Sequence, residues 1–126
     1  MHRLLIIEDS EYMQFMYKRL FRDEPDIELT VVDTAEEGLT ILQDFNPELI
    51  IVDLLLPGMN GIDFTRKVRQ HSSTCMIIVA TGNSQESVLE EALKAGACKV
   101  VSKDIGKAFV QKARELMNLA EPANKG

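Results

Sequence analysis

The sequence predicts a three-layer α/β sandwich, a five-stranded parallel sheet covered by helices on both faces. Three observations predict it. Short apolar, β-branched runs alternate with amphipathic stretches along the chain. The run Leu49-Ile50-Ile51-Val52 is apolar at every position, as in a strand buried on both faces. It then meets a single carboxylate, Asp53, and a Pro57-Gly58 turn with Asn60-Gly61 close behind. With 126 residues, one domain with its own core is the natural size. Its expected bounds are 1–119, with 120–126 as a tail or linker.

The first strand is Arg3 to Ile7, ending in Glu8-Asp9. Ser10 caps the next helix, whose Met13, Met16, Tyr17 and Leu20 fall on one face. Asp23-Glu24-Pro25-Asp26 ends it, because proline cannot continue a helix. Ile27 to Val32 form a second strand, less apolar and so nearer an edge. Thr34 with Glu37 makes a capping box for a helix with Ala35, Gly38, Leu39 and Leu42 inward. Asn46-Pro47 stops it before the strand that reaches Asp53. A third helix carries Phe64, Thr65 and Val68 inward and ends near His71-Ser72-Ser73. Met76 to Ala80 form the fourth strand, running into Thr81-Gly82-Asn83. Asn83 with Glu86 is the expected cap of a fourth helix, which Gly96 closes. Lys99 to Ser102 make a fifth strand ending at Lys103. The last helix is expected from about Ile105 to Leu119, with Phe109, Ala113 and Leu116 inward.

Such alternation with right-handed crossovers favours strand order 2-1-3-4-5, the flavodoxin-like arrangement, whose switch point lies between strands 1 and 3. Glu8, Asp9 and Asp53 end those two strands. Three such carboxylates repel one another, and a divalent cation removes the problem; oxygen-only ligands favour Mg²⁺. Thr81 and Lys103 end strands 4 and 5 on the same rim. Metal, hydroxyl and ammonium around one carboxylate make a phosphoryl-transfer site with Asp53 as nucleophile.

Composition excludes several classes. A net charge of −6, with lysine and arginine scattered, argues against direct nucleic-acid binding. No apolar run approaches a membrane span, and no secretory apolar segment follows Met1-His2-Arg3. Cys75 and Cys98 form no metal-ligand pattern and read as buried thiols of a cytoplasmic protein. His2 and His71 read as exposed terminal or loop residues without a ligand pattern.

Taken singly, the candidate residues have ordinary explanations: an acidic loop, a capping Asp, a turn hydroxyl, a surface lysine. Their joint placement on one rim is what points to chemistry. An aspartate-nucleophile phosphatase needs a second acid two residues beyond the nucleophile, and that position is Leu55. A flavodoxin-like cofactor carrier needs a phosphate loop after strand 1, where this chain has Glu8-Asp9-Ser10-Glu11.

Across nearly its whole length the chain resembles the receiver domain of two-component response regulators, of the chemotaxis-regulator type. Glu8-Asp9 fits the family's acidic pair, Asp53 its phosphoacceptor, Pro57 to Gly61 the following loop, Thr81 the switch hydroxyl and Lys103 the lysine, with Ala95-Gly96-Ala97 a familiar spacer. The resemblance implies that Asp53 takes a phosphoryl group from a phosphohistidine on a sensor histidine kinase or phosphotransfer protein, or from a small phosphodonor. It implies Mg²⁺, or Mn²⁺ in its place, on Asp9, Asp53 and the Leu55 backbone carbonyl, with Glu8 acting through water. Lys103 would pair with the phosphoryl group and Thr81 would be drawn towards it. The protein would then be a signalling phosphoacceptor, not an enzyme for external metabolites. It would be a monomer or weak homodimer whose helix 4/strand 5/helix 5 surface meets an effector or a fused output domain. The chain departs from the pattern at Asp104, where the family usually has proline, and at Val100, where it often has an aromatic. Asp104 is expected to alter the Lys103 loop and to compete for its ammonium. These departures keep open a degenerate receiver that binds partners without phosphorylation.

Overall fold

A computed structural model describes residues 1–72, 74–82, 85–103 and 106–119. The elements run β1 (His2–Ile7), α1 (Glu11–Phe21), β2 (Ile27–Val32), α2 (Ala35–Phe45) and β3 (Leu49–Asp53), then α3 (Gly61–His71), β4 (Met76–Thr81), α4 (Glu86–Ala95), β5 (Lys99–Ser102) and α5 (Lys107–Leu116). All neighbouring strands pair in parallel in the order β2-β1-β3-β4-β5. This is the expected flavodoxin-like sandwich, and β2 lies at an edge as its mixed composition indicated.

Alternation along the strands builds two cores. Leu5, Ile7, Ile50, Val52, Ile77 and Val79 pack with Phe64, Val68, Ala92 and Ala95 under α2, α3 and α4. Leu4, Ile6, Leu49, Ile51 and Ile78 pack with Tyr17, Phe21, Phe109, Val110 and Ala113 under α1 and α5. β3 is buried at all five positions, Asp53 included.

Local signals explain most boundaries. Ser10 Oγ accepts from Met13 N (3.3 Å) at the start of α1. Thr34 Oγ1 accepts from Glu37 N (3.0 Å), while the Glu37 carboxylate reaches back to the amide of Asp33 (3.4 Å). Asn60 Oδ1 accepts from Asp63 N (2.9 Å), a cap that sequence reasoning read only as a chain breaker. Gly96 takes φ of 119° to end α4.

Some expectations need correction. α4 starts at Glu86 with Gln85 in the cap position, so Glu86 opens the helix instead of closing a capping box; Asn83 lies outside the described residues. α5 is shorter than expected, ending at Leu116 before a turn that places Asn118 at φ of 59°; Ile105, like Ser73, Asp104 and the 120–126 tail, is outside the described residues. Cys75 is buried, but Cys98 is exposed, because it precedes the short edge strand β5. His2 is not a free terminal residue: it pairs with Ile27 in β1, and its Nδ1 lies 2.9 Å from Glu48 Oε1. His71 is exposed as expected.

Candidate functional site

Register brings the site together. Ile7 aligns with Val52, Asp53 with Ala80, and Thr81 with Ser102. The residues that leave these strand ends therefore meet on one rim, at the carboxyl edge where open α/β sheets bind ligands. Glu8 and Asp53 share the side-chain parity of Leu4, Ile6, Leu49 and Ile51, so both carboxylates lean towards the α1/α5 face.

Lys103 Nζ lies 3.0 Å from Asp53 Oδ2 and 3.1 Å from Glu8 Oε1. It donates a hydrogen bond to Asp53, whose other oxygen faces Leu55 N at 3.4 Å. Glu8 Oε2 accepts from Ser10 N (3.0 Å). Glu8 Oε1 is fully buried, and its one polar contact among the described residues is the ion pair with Lys103. Thr81 is buried at the end of β4, and Leu55, directly beside the site, is 73% exposed. Every candidate residue drawn from the sequence is thus on or beside this rim.

One carboxylate oxygen from each of Glu8, Asp9 and Asp53 lies within 4.8 Å of the other two. One ammonium cannot balance three carboxylates at that spacing. Burial raises the Glu8 pKa; the Ser10 amide opposes this, the Asp53 charge adds to it and Lys103 opposes it. Burial also works against charged Lys103, but its contacts with Asp53 and Glu8 prevail and raise its pKa. Tyr17, packed below, is likewise raised by burial and then by the charges of Glu8 and Asp53. An all-oxygen donor set with more carboxylate charge than the one ammonium balances, and a buried Glu8 oxygen held only by an ion pair, fits a hard divalent cation.

A profile described as the response regulator receiver domain matches residues 4–115. The chain belongs to this family. As a receiver domain it is 29% identical over 114 residues to the chemotaxis protein CheY of Halobacterium salinarum, covering 88% of this chain and 92% of that protein. It is 35% identical over 126 residues to the nitrate/nitrite response regulator NarL of Escherichia coli K12, covering 94% of this chain and 57% of NarL. A third relative is a protein-glutamate methylesterase/glutaminase of Paramagnetospirillum magneticum, 34% identical over 107 residues. That match covers 82% of this chain but 30% of that enzyme. The receiver domain therefore spans little more than half of one larger relative and less than a third of the other. A LuxR-family response regulator from Aurantimonas superposes with a TM-score of 0.83 at 26% identity, covering 92% of this chain and 84% of that one. The receiver domain protein from Methanospirillum hungatei gives a TM-score of 0.87 at 24% identity, covering 94% of each chain, and shares the fold.

Two features of this receiver domain escaped the sequence. Arg114 of α5 is 5% exposed, binding Asp26 through both terminal nitrogens (2.9 and 2.8 Å) and Glu24 at 3.0 Å. Its partners lie 88 and 90 positions away, so no local spacing announces them. The second is a cross-connection from α1 to the loop after Asp53, through Gln14 and Glu36. No described helix is long and apolar enough to cross a membrane.

Proposed function

We propose that residues 1–119 form a phosphoacceptor switch in which Asp53 accepts the phosphoryl group, with 120–126 a tail. The observation that carries this reading is the rim itself, where Lys103 holds Asp53 while the Glu8, Asp9 and Asp53 oxygens crowd within 4.8 Å. Asp9, Asp53 and the Leu55 carbonyl would hold Mg²⁺ or Mn²⁺, with Glu8 acting through water, and the ion would supply positive charge against the oxygens of the transferring group.

An Asp53 oxygen attacks phosphorus as the bond from phosphorus to the donor's imidazole nitrogen breaks. That nitrogen takes up a proton from solvent, and an acyl phosphate remains on Asp53. Lys103 then pairs with phosphoryl oxygens, and the Thr81 hydroxyl turns towards them. Each charge-assisted hydrogen bond contributes about 1.5–3 kcal/mol. Converting a mostly inactive population to a mostly active one takes about 5.5 kcal/mol. Two or three such contacts, made only in the phosphorylated state, supply it. The donor is a sensor histidine kinase or phosphotransfer protein in the cytoplasm. The readout is the α4/β5/α5 surface, offered to an effector or output domain by a monomer or weak homodimer.

Intact mass after incubation with a small phosphodonor tests this directly. Wild type gains one phosphoryl group with Mg²⁺ and none with EDTA, and Asp53→Asn gains none. A wild type that never gains mass, even from a phosphohistidine donor, removes the chemistry and leaves a phosphorylation-independent binding module.

A further inference from the structure

Of the proposed cation ligands, Asp53 ends β3 and is held in register with Ala80, whereas Asp9 and Leu55 lie in loops beyond the aligned part of β1 and β3. The ladder reaches the first residue of each loop, through Glu8 N to Val32 O (3.0 Å) and Leu54 N to Ala80 O (2.9 Å), and no further. Beyond it, a chain of hydrogen bonds runs around the first turn of α2. On α1, Gln14 Nε2 donates to the Glu8 carbonyl (2.6 Å) and to Asp33 Oδ1 (2.5 Å), at the end of β2. Asp33 N faces Glu37 Oε1 (3.4 Å), and Glu37 N is capped by Thr34. Beside it, Glu36 Oε2 accepts from Met59 N (3.1 Å), in the loop after Asp53. Gly58, at φ of 78°, brings that loop close enough that a Cβ there would stand 2.9 Å from Glu36 Oε2. The same loop is closed by Gly61 N donating to Leu54 O (2.9 Å), and it carries Leu55.

We infer that the first turn of α2 is a brace that sets the separation of the Glu8-Asp9 loop from the Leu54–Asn60 loop, with Gln14 and Glu36 as positioning residues for cation binding. Neither touches the reacting atoms, and the inference rests on the cation reading above. The physical reason is the demand of a small divalent ion for near-ideal ligand geometry, which two separately moving loops satisfy poorly. Residues that orient ligands from outside the coordination sphere are felt in affinity. Acidic residues in the first turn of a helix also complement its dipole, which explains why Glu36 is acidic but not why its carboxylate reaches Met59.

The test is Mn²⁺ titration of the full chain, followed by the electron paramagnetic resonance signal of free Mn²⁺, with thermal unfolding of each variant in EDTA. Glu36→Ala and Gln14→Met each weaken Mn²⁺ binding by about threefold to tenfold, since only part of the worth of these solvent-exposed hydrogen bonds is passed on to the ion. Glu36→Gln keeps an acceptor oxygen and stays near wild type. The double variant Gln14→Met/Glu36→Ala loses less than the product of the singles, because either break frees the same brace. Unchanged Mn²⁺ affinity in both single variants, with or without lower thermal stability, overturns the brace and leaves the cation site standing. A wild type that binds no Mn²⁺ overturns the cation reading and the brace with it.

Discussion

At opposite edges of the sheet, one cation stands between two carboxylates. Lys103 faces Asp53 and Glu8 where β1 and β3 end, and Arg114 faces Glu24 and Asp26 just before β2 begins. The rim around Lys103 holds a third carboxylate, Asp9, and the outcomes differ. The Arg114 guanidinium is nearly enclosed, and the bonds of its planar fork to Glu24 and Asp26 are 2.8–3.0 Å long. Those contacts hold Asp26 below the usual carboxylate range, the hydrogen bond to Arg114 being the main cause. Lys103 is a compact charge on a flexible stem, 27% exposed, and although it reaches Glu8 Oε1 at 3.1 Å, burial still raises the Glu8 pKa. A saturated ion cluster is a fastener, joining α5 to the α1–β2 turn. An unsaturated one has capacity left for a ligand.

The comparison breaks first at Arg114. Replacing it with methionine leaves Glu24 buried without its partner, and urea unfolding should show a loss of about 3–5 kcal/mol. A loss well under 1 kcal/mol would show that the cluster fastens nothing. Lys103→Met should do the reverse, costing less stability than the Arg114 variant. Its rate of mass gain from a small phosphodonor should fall about tenfold to hundredfold, the worth of one charge-assisted contact.

Smaller effects sharpen the contrast. Mg²⁺ at ten times its dissociation constant should stabilise wild type by about 1.4 kcal/mol, and the Arg114 variant by the same increment. Glu8→Gln should be more stable than wild type in EDTA, since it removes a buried charge, and should gain less from Mg²⁺. If Mg²⁺ stabilises Glu8→Gln as fully as wild type, Glu8 plays no part in ion binding. The least effect belongs to Asp26→Asn. Its pKa is lower folded than unfolded, so its stabilisation is complete above the unfolded value near 3.8 and fades as pH falls through the folded one. The stability gap between wild type and Asp26→Asn should therefore be flat at neutral pH and close in acid. A gap that persists in acid would assign it to packing.

What the sequence made legible is what local spacing carries. The all-apolar run into Asp53, the caps at Ser10 and Thr34, and the Gly96 stop each act within a few residues, and the strand alternation then places Glu8, Asp9, Thr81 and Lys103 on one rim. Arg114 was illegible because it follows Ala113 on an otherwise ordinary amphipathic helix, with partners at the far end of the chain. Gln14 and Glu36 resemble solvated helix residues until the β2 edge and the loop after Asp53 fold against them. Cys98 misled for the opposite reason: cysteine's usual preference for burial yields to a position just outside an edge strand.

Gly61 opens α3 without any unusual torsion, yet a Cβ there would stand 2.5 Å from the Asp53 carbonyl oxygen. In a library carrying all twenty amino acids at each loop position, survivors should therefore divide by the nature of the obstacle. Position 58 meets the far end of a flexible side chain, Glu36, and its positive φ admits asparagine at some cost. Position 61 meets backbone that belongs to Asp53 itself, and even alanine must push it aside. The freedom to vary at 61 is thus set by a residue eight positions earlier, and selection for an intact Asp53 would leave glycine there alone.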